Sequence, residues 1–88
     1  MAYHVILTSR AEKQLASLQT RDQHRILIRM ETLADNPRPA GAVKLVGTDD
    51  GWRIRIGNFR VLYEIRDREL IVLVVEIGHR RDVYRRTR

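Results

Sequence analysis

The chain has 88 residues, 43% of them hydrophobic, with no cysteine and a formal net charge of +6. That length suits one small domain over residues 1–88, and the composition excludes disorder, a disulfide framework and thiolate chemistry. No apolar run is long enough to span a bilayer, and the opening MAYHVILTSR lacks the apolar core of a signal peptide, so a cytoplasmic protein with no membrane contact is expected.

In chain order, Tyr3–Thr8 reads as a first strand, with His4 a structural residue in it. Ser9-Arg10-Ala11-Glu12 fits a capping box, and Ala11, Leu15 and Leu18 continue at helical spacing to about Leu18. Thr20-Arg21-Asp22-Gln23 is a second capping box. The helix after it places Ile26, Leu27, Met30, Leu33 and Ala34 on one apolar stripe, with Ile28 off it. Asp35-Asn36-Pro37 stops that helix. Irregular chain follows through Arg38–Gly41, then Val43–Val46 as a short edge strand and Gly47–Gly51 as a turn.

The stretch from Trp52 onward organises the rest. Trp52–Ile56 and Phe59–Arg66 alternate with period two and are joined by Gly57-Asn58, a two-residue hairpin turn. Asp67-Arg68 is expected as a second two-residue turn. Leu70–Ile77 is an apolar run that suits a strand buried on both faces, closed by Gly78. The expected architecture is α+β: β-α-α, then an antiparallel β-meander with a short basic C-terminal segment.

The Gly57-Asn58 turn sets a register. Ile56 faces Phe59, Arg55 faces Arg60, Ile54 faces Val61 and Arg53 faces Leu62. Trp52, Ile54, Ile56, Phe59, Val61, Tyr63 and Ile65 then share a core face, covered by the helices. Arg53, Arg55 and Arg60 share the opposite, open face, and the second turn adds Ile71, Leu73, Val75 and Ile77 to it. Like charges opposite one another in a sheet are unfavourable, so the arrangement points to an anion. Removing the charge of Arg55 or Arg60 is expected to leave stability unchanged or slightly raised.

Charge is uneven along the chain. Residues 1–51 hold seven basic and six acidic groups, whereas residues 52–88 hold ten arginines and five acids. Arginine presents a planar fork suited to phosphate. This field fits a nucleic acid, an acidic protein partner, or both; a solvated basic surface is the plain alternative. His4, His24 and His79 lack metal-ligand spacing. No Gly-rich phosphate loop or nucleophile triad is present. Glu64 falls on the arginine face as a salt-bridge partner. The constellation that remains is Arg53, Arg55, Arg60, His79, Arg80, Arg81 and Tyr84. Arg80 and Tyr84, four residues apart, would share one face of a helical tail, with Tyr84 either a site residue or the anchor of that tail.

The pattern W-R-I-R-I-G-N-F-R-V-L-Y-E-I, an apolar strand, and I-G-H-R-R-D-V-Y resembles the RelE branch of the RelE/ParE toxins of bacterial toxin–antitoxin systems. YHVILTSRAEKQLASL and N-P-R-P-A-G-A-V-K-L-V-G fit the same family. The resemblance implies a ribosome-dependent endoribonuclease that cuts mRNA in the ribosomal A site, without metal or cofactor, using the RNA 2′-OH as nucleophile. It implies a catalytic set of Arg53, Arg55, Arg60, Arg80 and Tyr84, with Arg81, Arg85 and Arg86 as further RNA contacts. Arg53 and Arg55 stand where the family often has lysines. Arginine stays protonated and is a poor general base. Histidine titrates near neutrality, which makes His79 a secondary acid/base candidate. The implied partners are a RelB-like antitoxin, the ribosome and mRNA, with operator DNA reached only through the antitoxin complex. The alternatives are a ParE-like toxin acting on DNA gyrase without RNA cleavage, and a silent basic module that only binds.

Overall fold

A computed structural model describes residues 2–79. Its elements are β1 (His4–Leu7), α1 (Ser9–Ala16), α2 (Thr20–Thr32), β2 (Val43–Lys44), β3 (Gly51–Ile56), β4 (Phe59–Arg66) and β5 (Ile71–His79). The five strands form one sheet in the order β1-β5-β4-β3-β2. β1 runs parallel to β5, and the other pairs are antiparallel. The α+β architecture is as expected; the parallel docking of β1 beside β5 is not visible in local sequence pattern.

Both helix starts differ from the capping-box reading. The N-cap of α1 is Thr8, whose Oγ1 accepts from the Ala11 amide at 3.1 Å. Thr8 wins over Ser9 because it is the last residue pinned by the sheet: its own amide donates to the Val74 carbonyl. The N-cap of α2 is Gln19, with no side-chain cap. Gln23 instead donates to the Leu18 carbonyl at 2.8 Å and ties the two helices together. Ile26, Met30 and Leu33 are buried on the sheet, but Leu27 is 40% exposed. The stripe is therefore narrower than expected, and Leu27 joins Ile28 outside it.

The core lies between the helices and one face of the meander. Ala11, Ile26, Met30 and Leu33 pack there with Ile54, Ile56, Phe59, Val61, Tyr63 and Ile65, and Trp52 packs against that cluster. This is the face that the hairpin register assigned to the core.

The second turn departs from expectation. Residues 67–70 form a four-residue turn closed by the Leu70 amide on the Asp67 carbonyl, with Leu70 at φ 55. Arg66 then pairs with Ile71 and Glu64 with Leu73, which leaves Ile71 and Leu73 on the arginine face as expected. A register shift at Leu62/Tyr63 breaks the alternation: Tyr63 pairs with Val74, but Leu62 pairs with Glu76. Val75 is the extra residue of this bulge. Past it the faces exchange. Ile77, expected on the arginine face, is buried in the core, and Glu76 takes its place on the other side. β5 is also not covered on both faces: Val72 and Val74 are fully buried, whereas Ile71, Leu73 and Val75 are half-buried.

Helix α1 supplies what the bulge lacks. β1 ends at Leu7, opposite Val74, so beyond that point the outer edge of β5 pairs with no strand among the described residues. Thr8 Oγ1 donates to the Val75 carbonyl at 3.3 Å, and Gln14 Oε1 accepts from the Ile77 amide at 2.7 Å. Buried backbone groups need such partners, and here two side chains of one helical segment provide them.

Candidate nucleic-acid interface

The β3–β4 hairpin turns at Gly57-Asn58, with Gly57 at φ 60. Positive φ at the first central position favours glycine. A Cβ there would also lie 2.7 Å from the Arg25 guanidinium, which packs over the turn. The resulting pairs are Arg53–Leu62, Ile54–Val61, Arg55–Arg60 and Ile56–Phe59, as the sequence register requires. Arg53, Arg55 and Arg60 line one groove of ≈ 230 Å³ together with Gly41, Val43 and Ile54.

The three arginines are not equivalent. Arg55 is exposed and Arg53 half-buried, but Arg60 is only 5% exposed. The open face expected for all three is thus corrected at Arg60. Its strand, β4, is the middle one of five, flanked by β3 and β5. Burial also separates the two sides of the Arg55–Arg60 pair in their expected effect on stability.

Two carboxylates share this face. Glu64 pairs with Arg66 at 2.9 Å, the salt bridge expected of it. Glu76 arrives through the bulge and is 8% exposed. Its Oε1 lies 3.5 Å from Arg10 at the start of α1, while its Oε2 is buried and accepts no hydrogen bond from the described residues. Sequence periodicity placed Glu76 on the core face and so missed it. The available signal was compositional: a single carboxylate interrupting the run LIVLVV–IG.

The groove wall from Pro37 to Val43 is fastened from beneath. The Tyr63 hydroxyl donates to the Pro37 carbonyl at 2.8 Å, and burial pushes its pKa up to about 12. Arg38 pairs with Asp67 at 2.8 Å and lies 5.5 Å over the Trp52 ring. The Tyr3 hydroxyl donates to the same Asp67 carboxylate at 2.6 Å. Hydrogen bonds from Arg38 and then Tyr3 hold the Asp67 carboxyl below its ordinary range, and accepting from Tyr3 raises the phenol in turn. One turn residue thereby joins Tyr3, just before β1, and Arg38, in the loop after α2, to the β4–β5 connection.

His79 is exposed at the end of β5, its ring 4.7 Å from that of Phe59. Among the described residues no group of three histidine, cysteine or acidic side chains could hold a metal ion. Arg80, Arg81, Tyr84, Arg85 and Arg86 lie outside the described residues.

A family model described as the ParE toxin of the type II toxin–antitoxin system matches residues 5–84. The chain belongs to the RelE/ParE superfamily of type II toxins. Within it, similarity to RelE-named proteins is end to end. A Methanocaldococcus jannaschii protein named RelE1 is 31% identical, covering 97% of this chain and 98% of its own. An Escherichia coli RelE-like toxin protein is 33% identical, covering 96% and 92%. Among solved structures, the archaeal RelE–RelB complex from Pyrococcus horikoshii matches with a TM-score of 0.81 at 28% identity, covering 91% of this chain and 97% of that one. A mutant of the E. coli RelE toxin in the free state gives 0.81 at 25% identity, covering 97% and 93%. This RelE-like toxin therefore carries the superfamily's fold, with the arginine groove on its sheet.

Proposed function

We propose that this toxin is an endoribonuclease that cuts mRNA in the ribosomal A site and so stops translation in the cytoplasm. The observation that carries the reading is the meeting of Arg53, Arg55 and Arg60 on one sheet face around one groove. Arg55 and Arg60, paired across the hairpin, present two guanidinium forks to one bound phosphate.

The chemistry uses the nucleophile that RNA carries. The 2′-oxygen attacks the adjacent phosphorus in line, its proton leaves to a base, and the bond to the 5′-oxygen breaks as that oxygen gains a proton. The products are a 2′,3′-cyclic phosphate and a 5′-hydroxyl. Positioning and fixed charge supply most of such an acceleration. Arg53, Arg55 and Arg60 hold and neutralise the phosphorane. The family resemblance adds Arg80 to that set and Tyr84 as the group that orients or deprotonates the 2′-OH, with His79 as a further acid/base. Arg81, Arg85 and Arg86 add RNA contacts. A RelB-like antitoxin silences the toxin by covering this basic surface, in line with the RelE–RelB complexes among its structural neighbours.

The ParE description of the matching family model favours a second reading, a toxin that acts on DNA gyrase. Primer extension on translated mRNAs after induction separates the two. Breaks at A-site codons are expected; intact mRNA with altered plasmid supercoiling would establish the second reading.

A further inference from the structure

Helix α2 carries a second row of arginines, in the layer on the other side of the sheet from the groove. Arg21, Arg25 and Arg29 recur at every fourth position and so share one helix face. Arg21 and Arg25 are exposed and Arg29 is half-buried. Like charges at that spacing are unfavourable in a helix, and none of the three makes a salt bridge among the described residues. Arg29 donates to Thr32 Oγ1 at 3.3 Å, whereas no described residue accepts from the side chain of Arg25.

Arg25 is the member of the row that reaches the groove. Its Nη2, Cζ and Nη1 lie 2.7, 2.8 and 2.8 Å from where a Gly57 Cβ would stand. Such equal distances lay the guanidinium flat over the hairpin turn. Its N–H donors lie in the plane of the group and so extend past the rim of the turn. A Cβ at Gly57 would push the group away, so the glycine both forms the turn and seats the cation. The turn is what separates Arg25 from the groove. Arg55 and Arg60 are the last groove-side pair before it, about 7 Å away along the strand. Gly57 and Asn58 are exposed, and β2 pairs with β3 only at Trp52 and Arg53. A polynucleotide leaving the groove over the end of the hairpin meets Arg25.

We infer that Arg25 binds a phosphate of the mRNA next to the scissile one, and so holds the strand around the hairpin tip while the groove arginines hold the phosphate that reacts. The inference rests on the ribonuclease reading above. The ligand chemistry is a phosphodiester, whose two non-bridging oxygens match a planar fork. A guanidinium already packed on one face gives up less side-chain freedom on binding than one surrounded by solvent. Continuity with the groove favours the mRNA over ribosomal RNA, which offers the same group, and over an acidic segment of a protein partner.

The test uses the full-length toxin on ribosomes programmed with mRNAs that carry one uncharged methylphosphonate linkage, moved a nucleotide at a time on either side of the cut. Wild type should lose about ten-fold in kcat/KM when the neutral linkage replaces the phosphate that Arg25 holds. Arg25→Gln puts a good helix former at an exposed site and should melt like wild type. It should lose a similar factor on unmodified mRNA, mainly through KM, and lose nothing more when the neutral linkage stands at that position. Arg25→Lys keeps the charge without the fork and should fall between the two. Arg21→Gln, the same charge change one turn away, should keep the full response to the neutral linkage. If Arg25→Gln cuts like wild type, or if its loss adds to that of every neutral linkage, the inference fails while the ribonuclease reading stands. Additive losses together with weaker ribosome binding would assign Arg25 to ribosomal RNA, and unchanged cleavage with weaker antitoxin binding would assign it to a protein partner; either result overturns the inference. If wild-type toxin cuts none of the mRNAs, unmodified mRNA included, the ribonuclease reading falls and this inference with it.

Discussion

Arg55 and Arg60 carry the same charge and face each other across one hairpin, yet one is exposed and the other 5% exposed. Removing the Arg55 charge relieves repulsion of a few tenths to about 1 kcal/mol and uncovers nothing. Arg55→Gln should leave the melting temperature unchanged or slightly raised. Arg60→Gln shortens a buried side chain in the middle of the sheet and should lower it, by about 1–3 kcal/mol of stability. Melting curves at low and high salt test the contrast: a lower melting temperature for Arg55→Gln than for Arg60→Gln would contradict it. Both variants should cut mRNA on the order of 10²-fold more slowly, as expected when one fixed charge on a transition state is lost. Tyr84→Phe, a variant motivated by the family resemblance, should fold and cut far more slowly. Full activity there would transfer the proton role to another group, and His79→Gln would be the next variant to measure.

At the scale of elements, the bulge in β5 decides which side chains face the groove. It predicts unequal costs for two nearby apolar residues. Ile77 is 2% exposed and its truncation to Ala should cost about 2–5 kcal/mol. Val75 is half-buried at the bulge, and Val75→Ala should cost clearly less. Equal losses in urea denaturation would mean that β5 runs straight. The hairpin register was legible because Gly57-Asn58 fixes both turn length and strand alternation. The register of β5 was not, because Asp67-Arg68 extends to a four-residue turn and a bulge leaves no turn residue behind. The wall of the groove was illegible for a different reason: Tyr3, Arg38, Trp52 and Asp67 meet only in the folded chain. Asp67 also gives that wall a pH dependence. Its carboxyl is depressed in the folded state, so its contribution is present above the unfolded value of about 3.9 and is lost as pH falls through the folded value. Wild-type stability should therefore drop more steeply below about pH 4 than that of Asp67→Asn. Superimposable acid-melting profiles would show that the Tyr3–Asp67–Arg38 contacts do not hold the loop. At the alkaline end the sign reverses. The Tyr63 phenol is raised to about 12 by burial, so its contribution persists below the ordinary tyrosine value and disappears as pH rises through about 12.

The whole molecule concentrates ten arginines in residues 52–88 of a chain with net charge +6. On the proposed function this field binds and steers RNA, an effect that salt screens. Affinity for ribosome-bound mRNA should fall steeply with salt, and Arg55→Gln should reduce the slope of log affinity against log salt by about one. The purified complex with an antitoxin should leave mRNA on ribosomes intact; cleavage equal to that of free toxin would mean that neutralisation does not block the arginine groove. The internal nucleophile is the most exacting part of the proposed function, and one substitution in the substrate tests it. Ribosomes are programmed with an all-ribose mRNA, or with the same mRNA carrying a single 2′-deoxynucleotide at the nucleotide before the cut. The purified toxin should cut the first, leaving a 2′,3′-cyclic phosphate and a 5′-hydroxyl, and should leave the second whole. Equal cutting of both, or cutting of neither, would contradict the account.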